Sequence, residues 1–283
     1  MRLKPMTRAP FVLFALLAAP LLTQCAWFGN LKLGSYLVSE QDEAQLGAEF
    51  DAHLRTDSTA KKEYPVFVAN TPERKAMQDY VLGLAKEVYA AVPAKEKPSY
   101  PFTYTLIDAD VQNAFAVPGG YVYIYTGILK TMKDESELMG VLGHEIGHVT
   151  QHHYREALVK DTGLQLLLQA LVGNDAGQIK TLVAQSFGAL ASLSFSRDNE
   201  SDADKTGTRY LAASGRNPLG IAKYFQRVKS PGPQWLSTHP APKNRVSNVE
   251  AQVSGNASYM ALAADSARTN YRARFVQMTA PAR

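Results

Sequence analysis

Cysteine is almost absent from this 283-residue sequence: Cys25 is the single one, which excludes an intrachain disulfide framework. Long apolar runs are missing as well. The run FVLFALLAAPLL, Phe11 to Leu22, is interrupted by Pro20 and falls short of the ~20 residues a bilayer-spanning helix needs. Excess charge is also lacking. Lys and Arg number 30 against 26 Asp and Glu, and Arg2, Lys4 and Arg8 precede the apolar run, so the remainder holds 27 against 26. That balance offers nothing to a polyanion, and no nucleic-acid partner is expected. There is no internal repeat, no low-complexity tract, no G-x-x-x-x-G-K-[ST] phosphate loop and no G-x-S-x-G elbow. What is present, 46% hydrophobic and 20% charged residues, is the composition of an ordinary globular protein with one substantial core.

Residues 1–24 read as an export signal: basic residues, a short apolar run, then small or polar ones. LLTQC, ending at Cys25, is similar to a bacterial lipobox, although Gln24 stands where Gly or Ala is usual. The expectation is a lipid on Cys25 as the mature N-terminus, anchoring the protein to a membrane. Ala26 rather than Asp after it suggests the periplasmic side of an outer membrane. Residues 25–38 read as a tether, 39–253 as one catalytic domain and 254–283 as a polar tail.

Ser39 three residues before Asp42 predicts a capped helix, and Thr71-Pro72 predicts another from Pro72 to Val92. From Tyr100 the apolar period changes to two. YPFTYTLID and GGYVYIYTG alternate like strands, with Tyr121, Tyr123 and Tyr125 on one face and Val122 and Ile124 on the other. Between them NAFAVPGG carries Pro118, which cannot donate to a ladder and so predicts an edge strand. Helices are expected over 135–153, 155–172, 178–195, 199–213 and 218–229. LQLLLQALV, within the second of these, is too short to span a membrane and reads as buried. The fold class is α+β, mainly helical, with one small sheet.

GVLGHEIGHVTQHH, residues 140–153, holds four of the six histidines. On a helix His144 and His148 lie about 40° apart and ~6 Å along the axis, so both imidazoles reach one ion. Glu145 is displaced around the helix, where it addresses water rather than the ion. His152 lies too far along the axis to join, and His153 falls on the opposite face; both read as structural or surface residues. Unpaired imidazoles on so apolar a helix would be costly, and metal ligation removes that cost. Zinc needs a third protein ligand. His53, His239 and the acidic helix SRDNESDADKTG are the candidates, the last because Asp198/Asp202 and Glu200/Asp204 are like-charge pairs four apart.

HEIGH followed by NESDAD resembles the HtpX/CAAX-prenyl-protease-like family of zinc metallopeptidases, gluzincins with H-E-x-x-H and E-x-x-x-D. The likeness runs from SEQDEAQLG through NAFAVPGGYVYIYTGIL to STHPAPKNRV, and in layout it is similar to the family's periplasmic lipoprotein members. The resemblance implies a zincin-like domain with an edge-exposed sheet beside the HExxH helix, holding one Zn2+ per chain on His144, His148 and Glu200. It implies Asp204 as the acceptor orienting a ligand histidine, and Glu145 as the base that takes a proton from the attacking water. His239 would stabilise the oxyanion or act as a removable fourth ligand, with Arg245 in support. Asn113, Ala114, Phe115 and Ala116 would pair with extended substrate. The implied activity is endopeptidase cleavage of unfolded or misassembled envelope proteins in the periplasm. A rival reading is a zinc-stabilised, chaperone-like assembly factor that does not cut, which the presence of Glu145 weakens. DKTGT, Asp204 to Thr208, matches the phosphorylated motif of ion pumps, but polar SFSRDNES ahead of it is no buried strand. Nothing in the sequence signals an oligomeric state.

Overall fold

The computed structural model describes residues 38–162, 176–227, 239 and 244–265. Cys25, the export segment, LQLLLQALV and the chain after residue 265 lie outside the described residues. Helix α1 (Glu40–Thr56) opens on the Ser39/Asp42 capping box, in which each side chain meets the other's backbone N–H. Asp57 caps α2 (Ser58–Glu63). Thr71 caps α3 (Pro72–Ala90), where Pro72 occupies a position whose N–H has no helical partner.

Three strands follow: β1 (Thr103–Ile107), β2 (Ala114–Val117) and β3 (Tyr121–Tyr125). Their order is β1-β3-β2, with β3 parallel to β1 and antiparallel to β2, so β2 is the expected edge. Pro118 sits in the turn rather than the ladder, followed by Gly119 and Gly120, both at φ 82°, a conformation glycine adopts without strain. The alternation of β3 does not mark an inside and an outside. Its centre is buried on both faces, and Tyr123 tolerates this because its hydroxyl donates to Asp51 at 3.0 Å.

Short α4 (Thr126–Leu129) leads to α5 (Glu135–Thr150), then α6 (His153–Thr162), α7 (Ala176–Ala191), α8 (Arg197–Ala213), α9 (Gly220–Arg227), α10 (Arg245–Ser254) and α11 (Ala257–Ala264). Helices α2, α4, α10 and α11 are not expected from the sequence; each is short, although α10 does space Val246, Val249 and Val253 on one face. Helix α11, capped by Asn256, lies within the segment read as a polar tail. The helix expected to run to His153 ends at Thr150, because His152 takes a left-handed turn at φ 54°. Among the described residues no helix is long and apolar enough to cross a membrane.

Every residue of α5 is buried. It packs against α3, α8, α9 and β2, while α1 and α7 cover the aromatic side of the sheet, where Phe50 stacks on Phe187 with centroids 4.4 Å apart. Leu138, Val141, Leu142 and Ile146 each contribute roughly 1.5–3 kcal/mol of apolar burial. The acidic start of α5 is buried too, and it is paired. Glu135 accepts from Tyr80 and from Arg216 at 2.6 Å, and Glu137 meets Arg227.

Small residues set how close α8 can come. A Cβ on Gly207 would lie 2.8 Å from Gly143 C and His144 N, so backbone meets backbone at that crossing. Adding one there trades about 1 kcal/mol of helix propensity against roughly 1–3 kcal/mol of overpacking. Gly207→Ala is therefore expected to lower the thermal midpoint. Gly83→Ala, on α3 with nothing within 4 Å of its Cβ, is expected to raise it by a few degrees. The pair is read by calorimetry on zinc-free protein, and a Gly207→Ala midpoint at or above that of the parent would contradict the tight crossing.

Candidate metal centre

That crossing brings two helix faces together. Positions 144, 145 and 148 come from α5, 200 and 204 from α8, and His239 from the chain between α9 and α10; Arg245 opens α10. Each of these residues is 3% exposed or less. His144 Nε2 lies 3.0 Å from His148 Nε2 and 3.2 Å from His239 Nδ1. Glu200 Oε1 lies 3.0 Å from His239 Nδ1 and 3.4 Å from His148 Nε2, and its Oε2 is 3.5 Å from His144 Nε2. One ligand atom from each of the four residues falls within 4.8 Å of all the others.

The donor set fits zinc on three counts. Ligands at ~2.0–2.1 Å in a tetrahedron stand about 3.3 Å from each other, close to the separations seen. Burial, with the neighbouring His148 charge, holds His144 well below its ordinary pKa, and burial takes His148 down to about 3, so both offer neutral lone pairs. Burial would raise Glu200, but the close imidazoles of His148 and His239 outweigh it and keep a carboxylate. Charge is the third count. With His144 and His148 neutral, the three carboxylates of Glu145, Glu200 and Asp204 outnumber the guanidinium of Arg245 and the imidazole of His239, a net negative charge that a cation answers. Glu200 Oε2 is ion-paired with Arg245 Nη1 at 2.9 Å and lies 3.5 Å from His144 Nε2.

Asp204 Oδ1 lies 2.9 Å from His144 Nδ1, which fixes the ring with Nε2 inward. Arg245 grips both oxygens of Asp204, at 2.6 and 2.5 Å, and reaches the His239 carbonyl at 3.3 Å. Burial raises the Asp204 carboxyl while that guanidinium pulls it down. Opposing effects also act on His239: burial would lower it, but the charges of Glu145 and Glu200 leave it raised.

Glu145 stands beside the cluster. Its Oε2 accepts the Ala116 N–H at 3.2 Å, and its Oε1 is 3.4 Å from His239 Nε2. Asn113 O accepts from Tyr125 N at 3.1 Å, so by antiparallel alternation Asn113 and Phe115 bond to β3 while the backbone groups of Ala114 and Ala116 point away from it, at the outer edge of the sheet. At that edge Tyr154 donates to Ala116 O at 2.7 Å.

Other sequence candidates lie elsewhere. His53 packs on Phe187, with centroids 4.7 Å apart, and is not in the cluster. Of the two like-charge pairs only Glu200/Asp204 faces it; Asp198 is exposed. DKTGT is helical interior, not a strand end. His152 pairs with Glu43 at 2.9 Å. His153, expected on the opposite face, instead has Nδ1 3.0 Å from His148 Nδ1, because the turn at His152 folds the chain back. Sequence reasoning also missed Tyr154 and Phe195, whose ring stacks 3.8 Å from that of His148. No local pattern marks either one, since a turn and a loop place them.

Among known proteins, the chain is 33% identical over 166 residues to a beta-barrel assembly-enhancing protease of Yersinia pestis, the match covering 52% of this chain and 34% of that relative. It is 31% identical over 163 residues to the protein of the same name from Escherichia coli (strain K12), with the same two shares. With the mitochondrial metalloendopeptidase OMA1 of Arabidopsis thaliana it shares 32% over 147 residues, 50% of this chain and 29% of the relative. The chain thus matches about a third of the length of these curated relatives. Residues 75–253, which span β2, the HExxH helix and the Glu200/Asp204 helix, match Peptidase family M48, and the chain belongs to that family.

Proposed function

We propose that this protein is a zinc-dependent endopeptidase of the bacterial cell envelope that cleaves unfolded or misassembled proteins. The observation carrying this reading is the convergence of His144, His148 and Glu200 donors within 4.8 Å, with the Glu145 carboxylate between that cluster and the edge strand β2. In this reading 39–253 is the catalytic domain, and His144 Nε2, His148 Nε2 and a Glu200 oxygen hold the ion. Zinc there supplies Lewis acidity, polarising a carbonyl and lowering the pKa of water towards about 7.

The chain's own groups do the rest. Ala114 and Ala116 bind extended substrate through main-chain hydrogen bonds, which read conformation more than side chains and suit unfolded clients. Glu145 takes a proton from the attacking water and returns it to the leaving amine. Asp204, clamped by Arg245, orients His144. His239 in its present pose is a fourth donor lying against Glu145, so turnover requires it to withdraw; once outward it can donate to the developing oxyanion. The names of two relatives, beta-barrel assembly-enhancing proteases, support an envelope client class. A lipid on Cys25 would hold the enzyme at the outer membrane, and the LLTQC motif is the support for that.

Casein digestion by the purified protein should stop with chelator and return with zinc. Glu145→Gln is expected to lose ~10²–10⁴-fold in hydrolysis while still holding zinc. Unchanged hydrolysis would remove Glu145 as the base, and lost hydrolysis with client binding kept would leave a binding role beside the cutting one. Glu200→Ala should lower zinc stoichiometry at neutral pH by elemental analysis; full occupancy would mean that another residue holds the third position. Cys25→Ser should abolish palmitate labelling, and persistent label would rule out the anchor.

A further inference from the structure

The two histidines of the HExxH helix are supported differently. His144 leans directly on a carboxylate, Asp204. Among the described residues no carboxylate stands directly behind His148: its Nδ1 faces His153 Nδ1 at 3.0 Å, and the far nitrogen of His153, Nε2, lies 3.4 Å from Asp202 Oδ2. His153 is buried, and Asp202 is about half exposed. The rings of His148 and His153 meet edge to face, 75° apart with centroids 5.0 Å distant, so nitrogen approaches nitrogen in the manner of a hydrogen bond rather than a stack.

Tautomer chemistry makes that contact directional. A neutral imidazole that offers Nε2 to a metal must carry its proton on Nδ1. The Nδ1–H of His148 then needs an acceptor inside the protein. His153 Nδ1 can accept only if the His153 proton is on Nε2, where it faces the Asp202 carboxylate. One arrangement of protons therefore satisfies both contacts and leaves the His148 Nε2 lone pair directed at Glu200, His144 and His239. The opposite arrangement, with His148 protonated on Nε2, places a hydrogen where a ligand bond must form.

We propose that His153, braced by Asp202, is a positioning residue for zinc: it accepts the His148 Nδ1–H and holds that ring in the tautomer that ligates. Helix α8 then supports both histidine ligands, His144 directly through Asp204 and His148 through the Asp202–His153 relay. Loss of an orienting partner of this kind costs about 10–100-fold in metal affinity. The proposal rests on the zinc reading above.

Zinc dissociation constants by competition with a chromogenic chelator, together with thermal midpoints of the zinc-free proteins, test it. His153→Leu removes the acceptor and is expected to weaken zinc by ~10-fold or more. His153→Asn places Oδ1 where Nδ1 stood and is expected to restore affinity to within about 3-fold of the parent. A purely structural role for His153 would not be rescued in this way. Should His153→Leu fail to fold, Asp202→Ala, at a half-exposed site, is expected to weaken zinc several-fold without moving the zinc-free midpoint. Parent-like affinity in His153→Leu, or in Asp202→Ala if that variant carries the test, overturns the relay. So does equal weakening in folded His153→Leu and His153→Asn. A parent protein that binds no zinc instead overturns the reading of the site itself, so the two failures are distinct.

Discussion

The enclosure of α5 on all sides is the constraint on which the rest of the structure depends. A polar atom on that helix is shielded from bulk solvent, so each one needs a partner from another element. Glu135 and Glu137 are answered by Arg216 and Arg227, and His144 and His148 by groups carried on α8 and α6. Removing one partner of such a buried pair costs about 3–5 kcal/mol, whereas an exposed pair like Lys75–Asp79 is worth roughly 0–1 kcal/mol. The buried contacts thus determine the positions of α8, α9 and α10, and surface pairs add little.

The same enclosure makes the centre a property of the helix crossing. Because Gly143 and Gly207 let the backbones approach closely, Glu200 reaches the histidine cluster and Asp204 reaches the back of the His144 ring. Short reach limits rotamer freedom, which helps hold the donors to their separations. It also concentrates negative charge in a dry interior, so binding a cation there contributes directly to the stability of the fold.

Much of this was legible in the sequence wherever chemistry follows chain spacing. His144, Glu145 and His148 are four residues apart or less on one helix, and Ser39, Thr71 and Pro118 announce local geometry that the structure adopts. The third donor was different. Charge pairing on 196–207 leaves Glu200 beside His53 and His239 as equals, and only the likeness to a peptidase family singles it out. Helical periodicity places His153 on the wrong face, because the chain turns left-handed at His152 with no glycine to announce it. Arg245 touches Asp204 across 41 residues and Tyr154 touches Ala116 across 38; contacts so distant in the chain leave no periodic trace.

One backbone proton has a consequence for timing. The Ala116 N–H is given to Glu145, and its carbonyl to Tyr154. In the proposed reading, a guest strand pairing with β2 at this point would take the Ala116 N–H away from the carboxylate. Arrival of a client and release of Glu145 would then be one exchange, with no separate trigger.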